Sequence, residues 1–259
     1  MQTLKAIILS AGQGSRLLPL TQNKPKCLLS IGGRSLLEWQ LRALAANNIE
    51  HVSVVTGFYA EAVDEAIANM QIPSLQVETI YNPFYAVADN TGSCYVAREA
   101  MTGEFMVING DTLFEPDLVA KSISQCTLPV TVTIDRKDSY DADDMKVCLD
   151  GDRLTRIDKS LPLDVVDAES IGMLVFNEEG GRHFKQAVVD LLRSENGLKS
   201  WYLRAVDALA IKGLVGTSSI EGFTWQEVDF PDDLKSAEAL SAKWGTGLTD
   251  STASIRLAR

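Results

Sequence analysis

Through its first 135 residues the chain alternates short aliphatic runs with amphipathic segments, and this alternation restricts the fold more than any other feature. Leu4 to Ser10, His51 to Thr56, Leu75 to Tyr81, Glu104 to Asn109 and Val130 to Ile134 have strand length and meet turn-forming residues. Between them, Ser35 to Asn47, Ala60 to Met70 and Pro116 to Ser124 read as helices; Leu36, Leu37, Leu41 and Leu44 form one face of the first. Strands alternating with helices predict an α/β fold, a mostly parallel sheet with helices on both faces.

After Asp135 the pattern changes. Met145 to Leu149 and Arg153 to Ile157, joined by Asp150-Gly151-Asp152, predict a β-hairpin. Glu169 to Phe176 is a further strand, followed by helices near Gly181 to Arg193 and Ser200 to Ala210. Val215 to Ile220 and Trp225 to Val228 close the strand set, and Pro231 to Ala242 is a last helix with Pro at its start.

The 259 residues suffice for one sizeable core, and the hydrophobic and charged fractions are those of a globular protein. The formal net charge is −11 with no block of Lys or Arg, which argues against a nucleic-acid partner. The longest apolar runs, such as Ala6 to Leu9, are too short to cross a bilayer, so no membrane partner is expected. Cys27, Cys94, Cys126 and Cys148 are isolated and only two His accompany them, which disfavours a zinc site or a disulfide framework. With no basic region leading into an apolar stretch at Met1 to Lys5, the expected location is a reducing cytoplasm.

The first aliphatic run leads into Leu9-Ser10-Ala11-Gly12-Gln13-Gly14-Ser15-Arg16, and the connection to Ile31 is long enough to suggest function. Two glycines let backbone amides approach a polyphosphate, and Arg16 offers a charged clamp; a tight turn without ligand is the alternative. The spacing is not that of a P-loop, and it lacks the third Gly and the acid about 20 residues on that mark a dinucleotide fold.

The longer string is more specific. Leu9 to Leu17, then Pro19-Leu20-Thr21, then Lys24-Pro25-Lys26-Cys27-Leu28-Leu29, closely resembles the signature of the nucleotidyltransferase superfamily. That superfamily includes sugar-1-phosphate nucleotidyltransferases and bacterial phosphocholine cytidylyltransferases. The resemblance implies a single Rossmann-like domain over residues 1–242, with a nucleotide-binding half at 1–135 and an acceptor-binding half at 136–242. The Thr-, Ser- and Gly-rich remainder, 243–259, is expected to be loosely held. Leu9, Ala11, Gly12, Gly14 and Ser15 would line the nucleotide, while Arg16 and Lys26 hold the triphosphate and act in catalysis.

Phe105 to Ile108 is an apolar run ending in Asn109-Gly110-Asp111, which aims an acid into the crevice beyond the strand ends. Asp229 lies between apolar neighbours before the last helix. Both resemble the superfamily's metal positions and are the expected Mg²⁺ ligands, with Glu227 on the same side of its strand as a supporting candidate.

Asp89, Asn90 and Ser93 resemble residues near the base in the cytidylyltransferases, with Thr91-Gly92 as a departure that leaves base choice less determined. The acceptor candidates are Lys146 and Lys159 for a phosphate, Glu169 for an amine or hydroxyl, and Trp201, Tyr202 and Trp225 as an aromatic box. The expected reaction joins CMP from CTP to a small phospho-alcohol or amino-alcohol phosphate and releases pyrophosphate. A sugar-1-phosphate nucleotidyltransferase using another NTP and a non-catalytic nucleotide-binding module are the alternatives. Homo-oligomerisation stays open.

Overall fold

The computed structural model describes residues 4–244. Its first half comprises β1 (Lys5–Leu9), a small hairpin of β2 (Ser30–Ile31) and β3 (Arg34–Ser35), α1 (Leu36–Ala46), β4 (His51–Thr56) and α2 (Ala60–Asn69). There follow β5 (Gln76–Tyr81), α3 (Asn90–Val96), β6 (Phe105–Asn109), β7 (Thr112–Phe114), α4 (Asp117–Ser124) and β8 (Val130–Asp135). The second half adds β9 (Lys146–Asp150), β10 (Arg153–Ile157), β11 (Ala168–Phe176), α5 (Glu178–Leu192) and α6 (Leu203–Ala210). It ends with β12 (Val215–Ser219), β13 (Trp225–Glu227) and α7 (Pro231–Lys243).

Nine strands form one mixed sheet in the order β5-β4-β1-β6-β11-β8-β12-β10-β9. From β5 to β6 every neighbour is parallel, whereas β11 runs antiparallel to both β6 and β8. In this register Leu9 pairs with Val55 on one side and Asn109 on the other. The loops that leave β1 and β6 therefore start side by side at the carboxyl edge of the sheet, where open α/β sheets hold ligands.

Both faces of the sheet are covered. One side packs Leu37, Leu41 and Leu44 of α1 and Val63 of α2 against Ile8, Val54 and Ile108. On the other, Phe105 and Phe176 stack with centroids 4.8 Å apart, and Phe184 of α5 lies 4.7 Å from Phe176. Gly180 and Gly181 lie inside the start of α5, which begins three residues before the expected Gly181. Asn177 caps it by accepting from the Gly180 N–H, and a Cβ on Gly181 would come within 2.6 Å of the Phe105 ring.

The expected strand at Trp225 to Val228 forms as β13 and lies outside the main sheet: it pairs antiparallel with β7, Trp225 opposite Phe114 and Glu227 opposite Thr112. This ribbon and α7 enclose a smaller core in which Val228 and Ala237 pack with Leu17, Leu29, Ile31 and Trp39. That same core retains the start of the expected tail. The Trp244 ring meets Trp39 edge-on at 6.1 Å and donates from Nε1 to Thr224 Oγ1 at 2.8 Å, so residues 243 and 244 belong to the fold. The remainder of that tail, 245–259, lies outside the described residues. Among the described residues no helix is long and apolar enough to cross a membrane.

Phe176 joins β11 to both aromatic neighbours, so Phe176→Ala should lower the unfolding free energy by about 3–5 kcal/mol. Urea denaturation measures this; a loss under 1 kcal/mol would show that the stack is not a stabilising centre.

Candidate active site

After β1 the chain crosses the carboxyl edge of the sheet and closes in a single turn of 3₁₀ helix, Ser15–Leu17. Gly14 stands at φ +74°, where a Cβ would approach the Lys26 Cβ to 2.9 Å. It is glycine both for its backbone conformation and because the Lys26 side chain passes beneath it. Thr21 Oγ1 donates to the Gly14 carbonyl at 2.8 Å and braces the loop from behind. Gly12 is different: among the described residues a Cβ there would meet no atom within 4 Å. Its open side is the cleft itself.

Lys26 is nearly buried, and its ammonium ends between two carboxylates, 3.0 Å from Asp111 Oδ2 and in contact with Asp229 Oδ1. Burial works against its charge, but Asp111 and Asp229 outweigh that and hold its pKa above the usual lysine range. Asp111 follows β6 and Asp229 follows β13. The two segments are joined directly, since the Val228 N–H donates to the Asp111 carbonyl at 3.0 Å. Asp233 fixes the next turn, its Oδ2 accepting from the N–H groups of Asp229 and Phe230 at 2.8 and 2.7 Å. Arg16 reaches Asp229 Oδ2 at 2.7 Å and Asp143 Oδ2 at 3.0 Å, with its guanidinium 5.1 Å from the Phe230 ring centroid.

Glu227 completes an acidic group: oxygens of Asp111, Glu227 and Asp229 all lie within 4.8 Å of one another. Asp111 Oδ1 is buried and has no hydrogen-bond partner among the described residues. Burial, then the Asp111 and Asp229 carboxylates, push the Glu227 carboxyl above its usual range. Three crowded oxygen donors, one of them unsatisfied, fit a hard divalent cation such as Mg²⁺.

Two hollows meet at Asp229. The first, of about 340 Å³, lies between the glycine loop and a wall formed by Tyr85, Ala88, Asp89, Asn90 and Ser93. The second, of about 370 Å³, is an annex under Trp225, whose Nε1 donates to Asp135 Oδ2 at 2.8 Å. At its edge Lys137 Nζ stands 2.8 Å from Glu169 Oε1 and 2.9 Å from Asp144 Oδ2. Burial pushes the Glu169 carboxyl up to about 7, although Lys137 opposes the shift.

The family model described as nucleotidyl transferase matches residues 5–143, more than half of the chain and the whole glycine-loop wall of this cleft. The chain belongs to the nucleotidyl transferase family. It is 26% identical over 240 residues to a bifunctional IPC transferase and DIPP synthase of Aquifex aeolicus, covering 92% of this chain and 52% of that protein. A CTP:phosphoglutamine cytidylyltransferase of Campylobacter jejuni is 22% identical, with 90% of this chain and 98% of that protein covered. The fold also matches a solved CTP:phosphocholine cytidylyltransferase of Streptococcus pneumoniae with a TM-score of 0.75 at 21% identity, over 93% of this chain and 100% of that one. The chain spans about half the length of the first of these relatives and 38% of a CMP-5'-(3-aminopropyl)phosphonate synthase of Streptomyces rubellomurinus, to which it is 26% identical over 251 residues.

Within this nucleotidyl transferase cleft the structure gathers Leu9, Ala11, Gly12, Gly14, Ser15, Arg16, Lys26, Asp89, Asn90, Ser93, Asp111 and Asp229, all singled out from sequence. The acceptor residues divide. Glu169 and Trp225 line the annex. Lys146 does not reach it: the side chain is buried and donates to the carbonyls of Lys159 at 2.9 Å and Asp144 at 3.4 Å, bracing the β9–β10 hairpin. Lys159 sits on the rim, 4.9 Å from the Trp201 ring centroid and 3.8 Å from Asp143 Oδ1. The three aromatics do not form a box. Trp201 lies beneath Lys159, and Tyr202 is in the core with its hydroxyl donating to Asn109 Oδ1 at 3.1 Å. The departure at Gly92 has a packing cause, since a Cβ there would meet Ala88 Cβ at 2.8 Å. Sequence reasoning missed Lys137, Asp143 and Tyr85; the acid-rich Asp141 to Asp144 run was the one available signal for the first two.

The two glycines make opposite predictions. Gly14→Ala should lower thermal stability, because it meets both a positive φ and Lys26, whereas Gly12→Ala should unfold like wild type yet bind Mg²⁺-nucleotide at least tenfold more weakly. Calorimetric titration and a melting curve read both; unchanged affinity in Gly12→Ala would place the phosphates elsewhere.

Proposed function

We propose that this chain transfers CMP from CTP to a small phosphorylated acceptor bearing an amine, with release of pyrophosphate. The observation that carries the reading is the junction at Asp229, where Lys26, Arg16 and three carboxylates stand between a hollow lined by the glycine loop and a second, acidic one.

In this reading the triphosphate lies along Gly12 and Gly14, and the acceptor enters from the annex. An acceptor phosphate oxygen attacks the α-phosphorus, the bond to the bridging oxygen breaks, and pyrophosphate leaves with the electron pair. A phosphate monoester is already anionic near neutral pH, so no side chain has to remove a proton. Lys26 and Arg16 supply fixed positive charge where negative charge accumulates. Asp111 and Asp229, with Glu227, would hold Mg²⁺, which when bound lowers the repulsion between the two phosphates.

The choice of CTP is supported by the full-length relative named for CTP:phosphoglutamine. The acceptor class is supported by the annex, whose lining has eight carboxylates (Asp135, Asp141, Asp143, Asp144, Glu169, Glu227, Asp229, Asp233) against Lys137. Such a wall repels an acceptor that is anionic throughout. It accommodates one whose far end is an ammonium group.

Mg²⁺-dependent pyrophosphate release, with each NTP crossed against phosphorylated acceptors, tests this. Release should require CTP and an amine-bearing phosphate; release only with a sugar 1-phosphate and another NTP would overturn both assignments. Asp111→Asn and Lys26→Ala should each lower kcat by roughly 100-fold or more at saturating Mg²⁺. An effect of Lys26→Ala confined to KM would reduce it to a binding residue.

A separate prediction concerns the annex. Glu169→Gln should raise KM for phosphocholine or phosphoethanolamine several-fold and leave KM for CTP unchanged. Equal effects on glycerol phosphate would show that Glu169 does not face an ammonium group.

A further inference from the structure

The wall of the nucleotide hollow carries a hydroxyl whose direction is set from behind. Ser93, on α3, lines the hollow and is 4% exposed. Behind it Asn82, 1% exposed, follows β5. Its carboxamide cannot be turned over without loss. The Phe84 N–H donates to Asn82 Oδ1 at 2.9 Å, so the oxygen belongs on that side and Nδ2 faces Ser93 Oγ at 3.2 Å. An amide nitrogen only donates, so Ser93 Oγ accepts. Its own proton has no acceptor among the described residues and is left for the hollow. Asn90, a neighbouring polar residue on this wall, has its Oδ1 accepting from the Tyr202 N–H at 2.9 Å, which fixes the carboxamide from behind.

We infer that Ser93 reads the nucleotide base as an obligate hydrogen-bond donor, and that Asn82 is the positioning residue that makes it one. The inference deepens the CTP reading and rests on it. At N3 cytosine carries a lone pair, whereas uracil carries N–H. A donating Ser93 hydroxyl pairs with cytosine N3 and meets uracil donor to donor. Turning the hydroxyl to accept from uracil would use its second lone pair but leave its proton unmatched on a residue that is only 4% exposed, and an unmatched buried donor is costly. Discrimination would therefore come from the pair, with Asn82 touching no ligand.

The test needs no acceptor substrate. Dissociation constants for CTP and UTP, with Mg²⁺, are measured by calorimetric titration for wild type, Ser93→Ala, Asn82→Asp, Asn82→Ala and the double variant Asn82→Asp/Ser93→Ala, with folding checked by circular dichroism. Wild type should favour CTP. Ser93→Ala should weaken CTP roughly five- to tenfold with little change for UTP. Asp at position 82 accepts from both Phe84 N–H and Ser93 O–H, reversing the hydroxyl. Asn82→Asp should therefore shift the CTP-to-UTP affinity ratio toward UTP by about tenfold or more, and in the Ser93→Ala background the same change should leave the ratio where it was. Should Asn82→Asp not fold, Asn82→Ala frees the hydroxyl to rotate and the ratio should fall toward that of Ser93→Ala.

A wild type that favours CTP, with an unmoved ratio in Ser93→Ala and in the folded Asn82 variants, overturns the inference and leaves the CTP reading standing. Equal weakening of both nucleotides in Ser93→Ala also overturns it, because the hydroxyl would then face the O2 carbonyl that the two bases share. A wild type without preference for CTP removes the CTP reading itself, and the inference with it.

Discussion

The Lys26 ammonium is held between carboxylates that lie 85 and 203 residues further along the chain. A nearly buried charge is tolerable only when paired, so this contact fixes three distant segments at once: the glycine loop, the end of β6 and the β13–α7 junction. Gly14 follows from it, since the side chain needs the space a Cβ would take. So does the small second core, which presses β13 and α7 onto the loop and brings Asp229 within reach of both Lys26 and Arg16.

The same contact also joins the two sets of charges in the cleft. Lys26 and Arg16 rest on the carboxylates that would bind the metal. A triphosphate arriving alone would compete with Asp229 for both cations, and a divalent ion alone would displace Lys26 from its partners. Arriving together, each neutralises what the other frees: phosphate oxygens take the cations while the ion takes the acids. If nucleotide and metal occupy the cleft as proposed, these shared ion pairs would couple their binding positively without any domain movement.

The first half of the fold was legible because its strands alternate with amphipathic helices and its loop residues follow one another in sequence. His51–Thr56 falls where expected, and the twelve nucleotide and metal candidates converge on one hollow. The second half was less so. Lys146 and Tyr202 have side chains that suit a binding site, yet both are buried and satisfied by groups from other segments, which local spacing does not encode. β13 is legible as a strand, but three residues cannot specify their partner, and here the partner is the equally short β7. Asp143 and Lys137 lie in an acid-rich turn that looks like solvated surface until Arg16 and Glu169 are brought to it.

With a formal net charge of −11 and an acidic annex, long-range electrostatics work against the capture of two phosphorylated substrates. Affinity therefore has to arise at short range, from Arg16, Lys26, loop amides and a divalent ion, all within a distance over which salt screens little. The same field has a use. It disfavours anions lacking a compensating charge, so the proposed acceptor, with a phosphate at one end and an ammonium at the other, would enter with its dipole aligned. Its phosphate would then be directed toward Asp229 and the cations, and its amine toward Glu169. Orientation of that kind is what in-line attack requires, since the reacting oxygen must face the α-phosphorus before charge stabilisation can act.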